Sequence, residues 1–273
     1  VGESLVRPGE VVSLAKNVGA GSVVGTDTMS VCAMPDILTH AKKEGMKAII
    51  GTRLRIYDKL FRSRDEKKKF RPYHVRVLAL SDKGMGAIFN VLSKAFDEDH
   101  FYEVPRLLIE DVVSAFATCG KEDVVITLGD SASILTTQYA DSFVEELQAK
   151  TGVDVAVDIV TEDTPYFMRH NFESMRLARK YGLKVFIESP VHYDDSSKAD
   201  SLDVMRCIAS NLSFNAMAAR DTVTDWVPKG SADTVTRSVE SLMKANDRFG
   251  DGSVSKDDIK DVVRSSFRYM KEV

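Results

Sequence analysis

The chain has 273 residues, of which 44% are hydrophobic and 29% are charged, and its formal net charge is −4 at pH 7. These values are typical of a globular protein and exclude a disordered chain and a coiled coil. The slightly acidic balance argues against a dedicated duplex-DNA binder, which usually carries a basic excess. No apolar run approaches the ~18 residues of a membrane span, so we expect no membrane partner.

Strand-like and helix-like segments alternate from the start of the chain to about residue 210. Strands are predicted over residues 22–26, 47–51, 74–80, 124–128, 153–160 and 184–187. Helices are predicted over residues 35–43, with a stop at Gly45, and over residues 86–97, 109–119, 139–150, 165–181 and 200–209. Such alternation predicts an α/β fold with a mostly parallel sheet, and seven or so units favour a closed or nearly closed barrel over an open sheet.

The pattern changes after residue 220. Residues 231–246 and 256–273 are predicted to form two helices that are joined by a glycine-containing turn, with no strand between them. We therefore expect one domain over residues 1–219 and a helical extension over residues 220–273.

The three cysteines are far apart and lie in apolar stretches. Their odd number and wide spacing do not suggest a disulfide framework or a metal site. We expect Cys32, Cys119 and Cys207 to be buried free thiols in a reducing compartment, the cytoplasm.

Three segments together carry a family resemblance. The first is Gly25-Thr26-Asp27-Thr28-Met29-Ser30 with the helix and strand that follow it to Arg53, the second is residues 73–79, and the third is residues 181–193 with residues 203–208. In order and spacing they resemble the PHP (polymerase and histidinol phosphatase) domain at the start of bacterial DNA polymerase III alpha subunits. The resemblance covers residues 1 to about 215. It implies a distorted (β/α)7-type PHP barrel that lacks its first strand here, with a helical lead-out toward a polymerase core.

The resemblance also implies a site. Active members of the family hold metal ions with histidines and carboxylates at the strand ends, and such a cluster polarises a phosphoryl oxygen and generates hydroxide. Here only His74 and His192 keep the family's residue type. The other positions fall on Arg7, Thr28, Arg53, Ser131 and Pro190, and the family's opening His-x-His pair would lie before Val1.

Two imidazoles cannot hold a metal cluster, and the two arginines would repel cations. Arg7 and Arg53 would instead pair with Asp27 or Asp130. The resemblance therefore implies a degenerate site with no catalytic residue and no cofactor in this chain; zinc, manganese or magnesium is expected only if the site is active.

The implied function is a structural scaffold within a replicative, DNA-directed DNA polymerase of a bacterium or phage. The implied partners are the polymerase core in the same full-length chain and proofreading or other replisome subunits. The domain by itself would be catalytically inactive. The alternative is a metal-dependent phosphoesterase or 3′–5′ proofreading exonuclease of the same family.

Basic residues are concentrated between residues 53 and 76, most densely over residues 62–69, with Phe61, Phe70 and Tyr73 among them. Clustered lysine and arginine side chains release counterions from a nucleic-acid backbone, so this segment is a candidate for weak contact with single-stranded DNA. The candidate residues are Arg62, Arg64, Lys67, Lys68 and Lys69. The alternative is a solvated loop between two strands.

Residues 247–258 have the spacing of a calcium-binding loop, with acidic residues Asp247, Asp251 and Asp258 at positions 1, 5 and 12. Position 3, however, is Phe249, which cannot bind a cation. The interpretation that we favour is a tight turn between two helices in which Ser255 caps the second helix. A calcium-modulated binding module is the alternative.

Overall fold

The computed structural model describes residues 6–67, 70–129, 132–161, 165–188, 192–210, 231–250 and 255–272. Within them, six strands form one sheet that curls into a half-barrel. The strands are β1 (Ser22–Thr28), β2 (Lys47–Ile56), β3 (Tyr73–Ala79), β4 (Gly120–Thr127), β5 (Gly152–Val160) and β6 (Lys184–Glu188).

Ten α-helices accompany the sheet in the described part of the chain. They are α1 (Pro8–Asn17), α2 (Met34–Glu44), α3 (Arg64–Lys67), α4 (Asp82–Ala95), α5 (Ile109–Ala115), α6 (Ala140–Lys150), α7 (Pro165–Tyr181), α8 (Ala199–Ser210), α9 (Ser231–Phe249) and α10 (Lys256–Glu272). None of these described helices combines the length and the apolar character that crossing a membrane requires.

The strands lie in chain order, but β3 is reversed. β1 pairs with β2, β4 with β5 and β5 with β6 in parallel, whereas β3 is antiparallel to both β2 and β4. In its described part, the segment between β2 and β3 contains the single turn of α3, and two helices, α4 and α5, separate β3 from β4.

The α/β class, the six predicted strands and the helical extension are confirmed. The helix boundaries differ where capping decides them. α2 ends at Gly45 as predicted, with a left-handed φ of 68° that glycine adopts without strain. α4 begins earlier than predicted because Ser81 caps it, its hydroxyl accepting a hydrogen bond from the Gly84 amide at 3.1 Å. Helices α1 and α3 were not predicted.

One prediction about the cysteines is wrong. Cys119 and Cys207 are buried free thiols, but Cys32 is exposed. It lies in the turn between β1 and α2, where its backbone amide donates to the hydroxyl of Ser30 at 3.0 Å. A turn after a strand end leaves its side chain at the surface, whatever the hydropathy of the flanking residues.

Helices cover one face of the sheet and create the main core. Alternate residues of the central strands, among them Val75, Val77, Ile126, Val157 and Ile159, join this core with apolar residues of α4, α5, α6 and α7. On the opposite, concave face, Val125, Ala156 and Phe186 form a small apolar cluster, with Leu80 packed against it. The concave face is therefore where polar side chains meet.

The two C-terminal helices pack on the same body. Leu242 of α9 and Ile259 and Val263 of α10 belong to the main core. The buried Asn171 side chain on α7 links three elements. Its Oδ1 accepts from the Val160 amide at 2.9 Å, and its Nδ2 donates to the Val160 carbonyl and to Ser241 Oγ on α9, both at 2.8 Å. A domain boundary at residue 219, within the undescribed segment 211–230, stays a prediction.

This linkage yields a stability prediction. Asn171→Ala would leave the buried amide of Val160 without its side-chain partner and its carbonyl with only the 3.4 Å hydrogen bond from Ser241 Oγ. Each lost partner costs on the order of 1–3 kcal/mol. We expect the free energy of unfolding, measured by urea denaturation, to fall by about 3 kcal/mol.

Ser241→Ala is the matched control, because it removes only one of the Asn171 hydrogen bonds and should cost about 1 kcal/mol. A loss below about 0.5 kcal/mol for Asn171→Ala would show that the Asn171 contacts do not hold α7 and α9 to the sheet.

Candidate functional site

The strand register places six polar side chains in one row on the concave face. Residues that pair across neighbouring strands share a face, and side chains alternate along each strand. The register pairs Thr28 with Arg53, Arg53 with Arg76, and Arg76 with Thr127. Thr127 pairs with Ala156, and Val160 pairs with Glu188. Because residues 156, 158 and 160 share a face, Asp158 and Glu188 complete the concave row.

At the β1 and β2 end of the concave row, Arg53 is bound to Thr28. The Nε and Nη2 atoms of Arg53 donate to Thr28 Oγ1 at 2.9 and 2.5 Å. Arg53 is only 8% exposed, so its charge lies in the wall of the concave face rather than in solvent. Sequence reasoning predicted that these residues replace a metal-binding glutamate and histidine, and the structure brings the two positions together.

At the other end, Arg76 lies between two carboxylates. Its Nη2 donates to Glu188 Oε1 at 2.5 Å, and its Nη1 is 3.8 Å from Asp158 Oδ2. The three side chains are 12%, 18% and 2% exposed, respectively. Gly129 permits this arrangement, since a Cβ at that position would lie 1.8 Å from Asp158 Oδ2. We call Arg76, Asp158 and Glu188 the Arg76 cluster.

The other predicted site residues are more dispersed. His74 lies on the concave face two residues before Arg76, and its backbone amide donates to the Ala132 carbonyl at 2.8 Å. His192 is half-buried and follows the end of β6. Arg7 is exposed at the start of α1, where its amide donates to Glu10 Oε2 at 2.8 Å. Asp27 accepts from the Ala33 amide at 2.8 Å and so helps to start α2.

Asp130, Ser131 and Pro190 lie outside the described residues. The predicted pairing of Arg53 with Asp130 therefore stays a prediction. Arg7 has an exposed side chain, and the described contact of Asp27 is with the backbone of Ala33.

The described residues of the concave row do not fit a metal cluster. A cluster of hard cations needs several carboxylates and imidazoles with free lone pairs. Here two guanidinium groups belong to the row, and Asp158 and Glu188 already face one of them. Across the described ranges, no group of three or more histidine, cysteine, aspartate or glutamate side chains could hold a metal ion.

The basic segment is residues 53–76, and its densest part, residues 62–69, is ion-paired to the loop after α4. Arg64 Nε and Lys67 Nζ donate to the two carboxylate oxygens of Glu103 at 2.7 and 2.8 Å, and Arg62 Nη2 contacts Asp99 Oδ1 at 2.9 Å. The hydrogen bonds from Lys67 and Arg64 lower the pKa of Glu103. All of these pairs are at the surface, where ion pairs are screened by salt. Lys68 and Lys69 lie outside the described residues.

One aromatic residue of the basic segment anchors it rather than extending into solvent. Phe61 is fully buried, and the buried guanidinium of Arg106 lies 4.6 Å from the centre of its ring. Arg106 also donates to the backbone carbonyls of Phe61 and His100. Tyr73 contacts Asp58 through its hydroxyl at 3.1 Å, and burial together with this hydrogen bond raises its pKa to about 12. Neither Phe61 nor Tyr73 therefore offers an exposed ring on which a nucleotide base could stack.

The loop with calcium-like spacing begins inside a helix. Asp247 and Phe249 belong to α9, and the Phe249 ring packs against Phe172 at 6.1 Å. Ser255 caps α10 as predicted: its hydroxyl accepts from the Asp258 amide at 3.1 Å, while Asp258 accepts from the Ser255 amide at 2.9 Å. These bonds lower the pKa of Asp258. Asp251 lies outside the described residues, and the absence of a calcium site stays a prediction.

Sequence reasoning missed the Arg76 cluster. Residues 73–77 alternate polar and apolar side chains, a pattern that places Tyr73 and Arg76 on opposite faces and could have marked Arg76 as inward-facing. Asp158 is a charged residue between Val157 and Ile159 in a mostly apolar strand, which is a signal for a buried ion pair. Their mutual distance could not be predicted, because it depends on the curl of the sheet.

Known proteins are similar to this chain in sequence. The model of the PHP domain family matches residues 1–160. The alpha subunit of DNA polymerase III from Yersinia pestis is 21% identical over 228 residues, which are 79% of this chain and 19% of that protein. The corresponding subunit from Helicobacter pylori strain 26695 is 25% identical over 217 residues, which are 73% of this chain and 17% of that protein. This chain thus spans less than a fifth of the length of these relatives.

Two solved structures are also similar in part. A metal-dependent phosphoesterase from Bifidobacterium adolescentis gives a TM-score of 0.44 at 13% identity, covering 70% of this chain and 84% of that one. An amidohydrolase from Chromobacterium violaceum gives a TM-score of 0.43 at 11% identity, with the same coverage. The family model alone spans more than half of the present sequence. The chain belongs to the PHP domain family.

Proposed function

We propose that this chain is the PHP domain of a replicative DNA polymerase III alpha subunit and that it acts there as a structural scaffold. The relatives that cover most of the chain are alpha subunits of this polymerase, in each of which the matched region is a small part of a longer protein. The polymerase core would follow in the same full-length chain.

The observation that carries the scaffold role is the chemistry of the concave row. The family's metal chemistry needs open carboxylate and imidazole ligands, and a bound cation would face the charges of Arg53 and Arg76. Asp158 and Glu188 both face the single positive charge of Arg76. A face built in this way stabilises the domain without a metal ion, and it leaves phosphoester hydrolysis without a centre that generates hydroxide.

Packing of the C-terminal helices also supports this role. Apolar residues of α9 and α10 join the main core, so the chain leaves the domain along helices that are fixed to the sheet. A rigid exit of this kind can hold the orientation of whatever follows it in a longer chain.

Metal analysis tests the proposal. The full-length protein or this chain is purified without chelator and examined by inductively coupled plasma mass spectrometry. We expect less than one equivalent of zinc or manganese per chain, and no hydrolysis of p-nitrophenyl phosphate or of a single-stranded 3′ end when either metal is added.

Two or more equivalents of metal, together with hydrolysis that a chelator abolishes, would contradict the scaffold role. That outcome would favour the alternative, a phosphoesterase or 3′–5′ proofreading exonuclease. Replacing His74 and His192 together by Ala is the control, because hydrolysis that survives the double replacement would come from a contaminant or from another site.

We further propose that the basic segment makes weak contact with single-stranded DNA. Replacing Lys67, Lys68 and Lys69 by Ala should weaken binding and make its salt dependence shallower by up to about 2 units, at roughly 0.7 per lost phosphate contact. Glu103→Gln should strengthen binding, because it releases Arg64 and Lys67 from their shared carboxylate. Fluorescence anisotropy at two salt concentrations measures both effects.

The matched control replaces Lys42, Lys43 and Lys121, three exposed lysines outside the basic segment. It removes the same charge, and it should change the salt dependence of binding less than the replacement of Lys67, Lys68 and Lys69 does. Equal effects of the two triple replacements would assign the effect to net charge alone and would reduce the basic segment to solvated surface.

A further inference from the structure

Arg76 joins strands that are not neighbours in the sheet. It lies in β3, whereas Glu188 lies in β6, and two strands separate them. Neighbouring strands are about 4.8 Å apart, so in a flat sheet β3 and β6 would lie about 14 Å apart. The 2.5 Å hydrogen bond between the two side chains therefore requires the concave curvature of the sheet. The Arg76 cluster holds the two sides of the half-barrel together.

The carboxylates of the Arg76 cluster need a cation. Asp158 is 2% exposed and Glu188 is 18% exposed, so water cannot fully solvate their charges. Two negative charges on neighbouring strands also repel each other in a low-dielectric environment. An arginine offers a planar group with several donors that can face both carboxylates at once. A divalent cation would satisfy the same charges.

The acceptors are not saturated by Arg76. Asp158 Oδ2 is buried and has no hydrogen-bond partner among the described residues, since its distance of 3.8 Å to Arg76 Nη1 is an ion pair rather than a hydrogen bond. The hydroxyl of Thr127, which neighbours Arg76 in the register, is also buried without such a partner in the described part of the chain. Oxygen ligands of this kind suit hard cations such as Mn²⁺ and Mg²⁺.

We propose that the guanidinium group of Arg76 occupies the place of a divalent cation, and that Asp158 and Glu188 form a latent cation site that Arg76 keeps closed. Neither carboxylate is among the positions at which the PHP resemblance places metal ligands. The inference rests on the proposed scaffold function, because it takes the concave face to be held together by fixed charge. Beyond that function, the inference identifies Arg76 as the residue that supplies this charge and a divalent cation as the ion that could replace it.

Arg76→Met tests the inference, because methionine keeps much of the apolar volume of the stem and removes the charge. In EDTA the variant should melt about 10 °C below the unmodified chain, since removing one partner of a buried ion pair leaves an uncompensated charge. Millimolar Mn²⁺ should recover at least half of this loss, and calorimetric titration should give one Mn²⁺ per chain. The unmodified chain should show neither response.

Two further variants complete the cycle. Asp158→Asn with Glu188→Gln removes the two carboxylates described beside the guanidinium, and this variant should be destabilised in a manner that Mn²⁺ does not correct. Combining these changes with Arg76→Met removes all three charges. In EDTA this triple variant should recover most of the melting temperature that Arg76→Met loses, and Mn²⁺ should not change its melting temperature. If Arg76→Met is insoluble, its soluble yield after refolding from urea with and without Mn²⁺ replaces the melt.

Three results would contradict the proposed roles of the Arg76 cluster. A melt or refolding yield of Arg76→Met that Mn²⁺ does not change would overturn the latent cation site. A triple variant no more stable than Arg76→Met would overturn the compensating role of Arg76. Binding of two or more Mn²⁺ ions by the unmodified chain would instead contradict the scaffold function.

Discussion

Arg76 is an inward-facing cation in the strand whose direction is reversed. Its partner Glu188 follows 112 residues later in the chain, at the end of the last strand. The contact between them is possible only because the sheet curls, and the charges on the concave face require such a contact once the face is buried. Curvature and charge compensation thus depend on each other, and the polar row from Thr28 to Glu188 is arranged around this requirement.

Under the scaffold proposal, the same row would allow a PHP fold to persist without metal ions. A cation at the centre of a half-barrel neutralises side chains from several strands and so stabilises the closed shape. Guanidinium groups of the chain itself supply positive charge to these side chains whatever the metal concentration. They cannot act as a Lewis acid or lower the pKa of a bound water molecule. Replacing ions by arginines would therefore keep the architecture of a PHP domain and lose the chemistry, which is consistent with a scaffold at the start of a polymerase chain.

Much of the fold could be predicted from the sequence because periodicity and capping are local. The apolar runs located all six described strands, and Gly45 and Ser255 marked a helix end and a helix start as expected. The reversal of β3 could not be predicted, since the alternation of strands and helices does not fix the direction of each strand. α3 and the exposure of Cys32 were missed for a similar reason, because turns after strand ends depend on neighbouring hydrogen bonds.

The candidate site was predicted less completely than the fold. The family resemblance correctly brought Thr28 and Arg53 together, because both are fixed by the register of two neighbouring strands. It did not identify Asp158 and Glu188 as partners of Arg76, since contacts between strands that are not neighbours depend on sheet curvature. Nor could it show that Lys67 and Arg64 share Glu103, a residue of a separate loop.

We infer that fixed positive charge takes the place of metal on the concave face. The most direct measurement is a crystal structure of the unmodified chain grown with millimolar Mn²⁺, with anomalous diffraction recorded at the manganese edge. We expect no anomalous peak between Asp158 and Glu188, and we expect the Arg76 guanidinium to lie within 4 Å of both carboxylates, as it does here. A manganese peak coordinated by these carboxylates, with Arg76 displaced toward solvent, would contradict it.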